Sequence, residues 1–168
     1  MNIFFRRYIS EFVYGAVDGT VTTFAVVAAS AGAGISSAVI LILGIANLIA
    51  DGFSMGASAY LAASAEHEGS ARDTQKRASP KIIGSVTFLA FVAVGSVPVL
   101  PYLIDVVAGS KVPSTTLFYI SSALTAVAFL TIGFIKGKVG NQSPWREAAI
   151  TLLLGAVAAG LAYFAGDV

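Results

Sequence analysis

The sequence predicts an all-α membrane protein that crosses a bilayer five times, and three observations carry that prediction. Of 168 residues, 57% are hydrophobic and 11% charged, against about a quarter charged in soluble domains. The mean hydropathy is +0.84. Five apolar runs recur along the chain, at about 12–31, 38–63, 82–103, 116–135 and 148–164. Most approach the ~20 residues a helix needs to cross ~30 Å of hydrocarbon, and the last is a minimal span.

Each run has a physical boundary. Span 1 exceeds the length of a signal-peptide core, carries Asp18 and lacks a persuasive cleavage site, so it reads as a permanent helix. Span 2 begins after a Gly/Ser-rich turn and ends in a charged loop that runs from Glu66 to Lys81. Pro98 and Pro101 fall near the end of span 3, where missing N–H donors predict a kink or a stop. Pro144 precedes span 5 and suits the first turn of a helix. The connections are too short for a second domain, so residues 1–168 read as one five-helix unit with no internal repeat. Cysteine is absent, which excludes disulfides and thiolate ligands.

Charge sets the expected orientation. Arg6 and Arg7 precede span 1. Arg72, Lys76, Arg77 and Lys81 separate spans 2 and 3, and Lys136, Lys138 and Arg146 separate spans 4 and 5. Lys111 alone lies at the other end. Positive residues concentrate in the cytosol, so the N-terminus is expected there and the C-terminus outside.

Two carboxylates inside the apolar runs point to function. Asp18 and Asp51 have no Lys or Arg within their spans, and a carboxylate at membrane depth costs roughly 2.5–3.5 kcal/mol on insertion scales. The compensating partner is therefore expected to be a cation from outside the chain. At 1.5 Å per residue, with the cytosolic boundary near Glu11 and Ser64, Asp18 lies about 10 Å deep, Met55 about 13 Å and Asp51 about 20 Å. Asn47, Asp51 and Met55 are spaced by four, while Glu11, Tyr14, Asp18 and Thr22 repeat at three and four. Two polar stripes would then face one another along a path from a cytosolic mouth towards the bilayer centre.

Carboxylate and amide oxygens accept many cations, whereas a thioether adds little for Mg²⁺ or Ca²⁺, so Fe²⁺ or Mn²⁺ suits the donor set better. Each residue also has a plainer role. A methionine in an apolar helix packs, an asparagine bonds a neighbouring helix, and threonines bond their own helix backbone. Either aspartate would serve as a structural hydrogen-bond acceptor or line a water-filled vestibule.

The segments YGAVDGTVTTFAVVAASAG (Tyr14–Gly32) and GIANLIADGFSMGASAYLAASAE (Gly44–Glu66) resemble the first two helices of the vacuolar iron transporter family. FVAVGSVPVLPYL in span 3, SSALTAVAFLTIGFIKGK in span 4 and GAVAAGLAYFAG in span 5 extend the likeness over essentially the whole chain. The resemblance implies a homodimer with a metal path between subunits, moving Fe²⁺ out of the cytosol in exchange for protons. It implies Asp18 and Met55 as pathway ligands. Neither enzymatic activity, a permanently bound cofactor nor a nucleic-acid partner is expected. The short form implies the cytoplasmic membrane of a bacterium.

The sequence also departs from the family pattern. Many members carry a glutamate-rich cytosolic domain between spans 2 and 3, and here only Glu66 to Lys81 intervenes. Glu66, His67, Glu68 and Asp73 would form a reduced capture site, or an ordinary solvated loop. Ala59 precedes Tyr60 where many members place an acidic or amide residue, so one ligand is expected to be absent, with Asp51 serving instead. Glu147, beside Trp145, matches a family glutamate that would guide cations. Its other reading is an acidic residue stabilising a helix N-terminus.

Three alternatives compete with iron transport. A Mn²⁺-preferring carrier of the same fold has the same donor set, and a non-transporting metal-sensing module would bind metal without flux. Paired aspartates also occur in intramembrane aspartyl proteases, but the VDG and ADG contexts lack the GxGD type of motif. Finally, Gly15/Gly19 and Gly52/Gly56 permit close helix contact, without saying whether it lies within a subunit or across a dimer.

Overall fold

The computed structural model describes residues 3–68 and 78–168, with side chains described for 8–66 and 78–168. It contains α1 (Ile3–Gly32), α2 (Ser37–Glu68), α3 (Pro80–Gly95), a 3-10 turn (Val97–Val99), α4 (Leu100–Ala108), α5 (Ser114–Val139) and α6 (Pro144–Asp167). Within them lie five spans long and apolar enough to cross a membrane, α3, the turn and α4 together making the third. No strand occurs among the described residues.

The helices run past the apolar runs that announced them. α2 has 32 residues, which at 1.5 Å each give about 48 Å, well beyond ~30 Å of hydrocarbon. No glycine or proline interrupts its last turns before Gly69, so backbone bonding continues where hydropathy ends.

Turns are built from local chemistry. After α1, Gly34 takes φ 66°, and the Ile35 N–H donates to the Ser30 carbonyl at 3.0 Å. Positive φ costs glycine nothing. After α4, Gly109 takes φ 62°. The buried Asp105 carboxylate then accepts from the Ser110 hydroxyl at 2.8 Å and the Val112 N–H at 2.9 Å, fixing the path into α5.

The break in the third span is a consequence of its prolines. Pro98 and Pro101 cannot donate to the helical ladder, and the chain tightens into the 3-10 turn. The Ser121 hydroxyl of α5 donates to the Pro98 carbonyl at 2.6 Å, so a neighbouring helix satisfies an acceptor beside the break.

α3 is the wedge of the bundle. A Cβ at Gly15 or Gly19 would strike the α3 backbone at Thr87 or Phe91, and one at Gly56 would strike Phe88. Both glycine pairs therefore pack against α3 within one chain. The fully buried Phe91 sits between the two helices, in a core with Phe24, Val27, Ile40, Leu48, Val99 and Tyr102. On the far side of α1, Gly133 and Gly137 let α5 meet the start of α6 closely.

Candidate functional site

α1 and α2 touch directly where α3 leaves them free. The Asn47 amide donates to the Thr23 hydroxyl at 3.2 Å, with a longer approach to Thr22 at 3.5 Å. Thr22 in turn donates to the Asp18 carbonyl at 2.9 Å, and Thr20 to Ala16 at 2.7 Å. The threonines thus serve their own helix, as their chemistry favours, while Asn47 ties the two helices. It is the amide nitrogen that is engaged with α1.

One helical turn from that bond lie the carboxylates. Asp18 is half-buried on α1 and Asp51 is exposed on α2. Met55, a further turn along α2, is partly buried and packs against the cluster around Phe91. The structure therefore brings Asn47, Asp51 and Asp18 to one flank of the α1–α2 contact, with Met55 partly buried where that flank meets the core. Tyr14 on α1 and Ser54 and Ser58 on α2 are exposed, Tyr14 by 63%. Among the described residues of one chain, no three His, Cys, Asp or Glu side chains converge closely enough to hold a metal.

Glu66 and Glu147 lie apart from this flank. Glu66 is near the end of α2, about 22 Å along the axis from Asp51. His67, Glu68 and Asp73 of the expected capture loop lie outside the described side chains. Glu147 occupies the first turn of α6 behind Pro144, where an acidic group suits the helix dipole. It also pairs with Lys136 of α5 at 2.9 Å, and its carbonyl accepts from Thr151 at 2.8 Å.

Two contacts here were not anticipated. Thr23 as the acceptor for Asn47 was hidden because Thr22, four residues after Asp18, is the threonine on the polar stripe, and Thr23 points about 100° further round the helix. Lys136 as the partner of Glu147 had a weak signal, an acidic and a basic residue flanking a short Gly-Asn turn.

The VIT family profile matches residues 9–79 and 69–167. The chain belongs to the VIT family. Its two matched segments meet within 69–79, in the connection between α2 and α3. Among similar proteins, vacuolar iron transporter 1 of Eucalyptus grandis is 25% identical over 214 aligned positions, covering 92% of this chain and 84% of that protein. Vacuolar iron transporter 1 of Arabidopsis thaliana is 24% identical, at 92% and 83%. A vacuolar iron transporter of Toxoplasma gondii is 44% identical over 61 residues, which is 36% of this chain and 20% of that protein. Alignments of 214 positions onto a chain of 168 residues mean that the plant VIT proteins carry inserted residues. A VIT membership and five apolar spans together make this a multi-pass membrane protein.

Proposed function

We propose that this VIT protein carries Fe²⁺ out of the cytosol in exchange for protons, as a homodimer in the cytoplasmic membrane of a bacterium. The relatives named vacuolar iron transporter support the substrate. The observation that carries the reading is the exposed Asp51 at mid-span, beside half-buried Asp18 and exposed Ser54 and Ser58. A carboxylate facing lipid at that depth is costly, so this flank belongs against water and a second copy.

Among the described residues, a single chain offers two carboxylates on this flank and no third His, Cys, Asp or Glu beside them. Two copies meeting on this flank would present four carboxylates and two thioethers around a shared path. Fe²⁺ suits that mixture of oxygen and sulfur donors. Asp18 and Asp51 would hold the ion, and Met55, one turn further along α2, would favour softer divalent metals as the ion passes. Once metal leaves, proton uptake neutralises adjoining carboxylates in a low-dielectric bundle. The gathering of basic residues at one end supports a cytosolic N-terminus, and with it the direction of export.

Anaerobic flux into proteoliposomes, compared for Fe²⁺, Mn²⁺, Co²⁺ and Zn²⁺, tests the proposal. Saturable uptake with Fe²⁺ preferred is expected. Uptake led by Mn²⁺ would make it a manganese carrier, and binding without uptake would make it a sensing module.

A further inference from the structure

We propose that the groove between α2 and α3 at the basic end of the bundle binds an anionic phospholipid of the adjacent leaflet. The groove encloses about 460 Å³, with Phe53 and Tyr60 of α2 and Phe88 of α3 as apolar walls. Gly56 and Gly84 form its floor, each lacking the Cβ that would collide with the facing helix. Lys81 and Ser85 stand on the α3 side. Lys81 to Phe88 covers seven residues, about 10 Å of helix. The groove thus reaches from the start of α3, at headgroup level, into the first part of the acyl region.

Charge complementarity selects the occupant. Lys81 is exposed, and among the described residues it forms no hydrogen bond or ion pair. An ammonium at the mouth of an apolar slot that Ser85 and Tyr60 also line matches a phosphate joined to an acyl chain. Basic pockets between membrane helices recognise anionic headgroups in this way. A second apolar groove, between α1, α5 and α6, is bordered by Lys136. That charge is already engaged by Glu147 at 2.9 Å, so a phosphate there meets competition.

This groove is distinct from the carboxylate flank. At 3.6 residues per turn, Phe53 and Tyr60 project from roughly the opposite side of α2 to Asp51 and Ser58. A second copy on the Asp51 flank leaves the groove facing lipid, and the inference does not depend on metal transport.

The test places the sole tryptophan in the groove by combining Trp145→Phe with Phe53→Trp in the full chain. The protein is reconstituted in phosphatidylcholine vesicles containing either dibrominated phosphatidylglycerol or dibrominated phosphatidylcholine. Quenching should show a roughly fivefold preference for phosphatidylglycerol, the factor that about 1 kcal/mol for one lysine near the surface gives. Lys81→Gln should bring the two lipids to parity, and Lys81→Arg should restore the preference. Equal quenching with Lys81 present, or a preference that survives Lys81→Gln, overturns the proposal. Protection from both lipids overturns it too, because a second copy then covers the groove. Native mass spectrometry of the chain with Phe53 and Trp145 intact reads the same result without the reporter. Retained phosphatidylglycerol should be lost on Lys81→Gln, and equal retention contradicts the site.

Discussion

The Asn47 amide of α2 donates to the Thr23 hydroxyl of α1 at 3.2 Å, and half-buried Asp18 and exposed Asp51 each lie about one helical turn from that bond. Two like charges held together inside a membrane bundle are a standing cost. A divalent cation between them would turn repulsion into attraction, which is why both are proposed to line the metal path.

Asp18→Asn keeps shape and hydrogen-bonding capacity while removing one charge. Fe²⁺ flux should fall by at least about tenfold, the factor that about 1.4 kcal/mol of lost ion stabilisation produces. Asp51→Asn, at the more exposed carboxylate, should be milder. Initial rates in proteoliposomes with matched protein content measure both, and wild-type flux in Asp18→Asn would remove that residue from the path.

Met55→Leu conserves volume where the side chain packs against the buried core cluster, so stability should change by less than about 1.5 kcal/mol. Loss of the thioether should appear as a shift away from Fe²⁺ and Co²⁺ towards harder divalent ions. Competition assays check the order, and an unchanged order makes Met55 a packing residue.

Asn47→Leu removes the donor to Thr23. Interhelical hydrogen bonds in membranes average about 0.6 kcal/mol, reaching about 1.7, so unfolding in mixed detergent should register a loss in that range. Metal selectivity should not move. A selectivity change with stability intact would instead place the Asn47 amide on the ion.

Gly19→Ala should be strongly destabilising, because the added methyl meets the α3 backbone at Phe91, which cannot yield as a flexible side chain does. Overpacking of this kind costs roughly 1–3 kcal/mol. Gly160→Ala, where a Cβ meets nothing within 4 Å, should stay within about 0.5 kcal/mol. Thermal unfolding of the pair checks the contrast.

Much of this architecture was legible in the string, because hydrocarbon imposes length and composition on anything that crosses it. All five spans follow from that constraint, and the break at Val97–Val99 follows from the N–H donors that Pro98 and Pro101 lack. Helix ends were less legible. α1 starts at Ile3 instead of Phe12, and α2 runs to Glu68 instead of Ala63, because hydrogen bonding continues after hydropathy stops. Partners were the least legible. Small-residue pairs allow close approach without naming what approaches, and only three-dimensional packing reveals α3 as the partner of both Gly15/Gly19 and Gly52/Gly56. Asp105, just beyond the apolar run of span 3, gave no sign that it would staple Ser110 and Val112. At the candidate site, spacing alone put Asn47, Asp51 and Met55 on one stripe. The structure resolves that stripe into an interhelical bond, an exposed carboxylate and a packed thioether.

Proton-coupled iron movement is the most direct measure of the whole account. Vesicles carrying the reconstituted protein are loaded with a pH-sensitive dye and a metal-sensitive dye, and Fe²⁺ is added anaerobically to the basic end of the protein at clamped voltage. The account predicts Fe²⁺ entry with matching proton exit, a faster rate when the lumen is acidified, and loss of both signals in Asp18→Asn. Fe²⁺ entry with no proton movement above that of empty vesicles, and a rate indifferent to the imposed pH gradient, would contradict exchange and leave a passive uniporter.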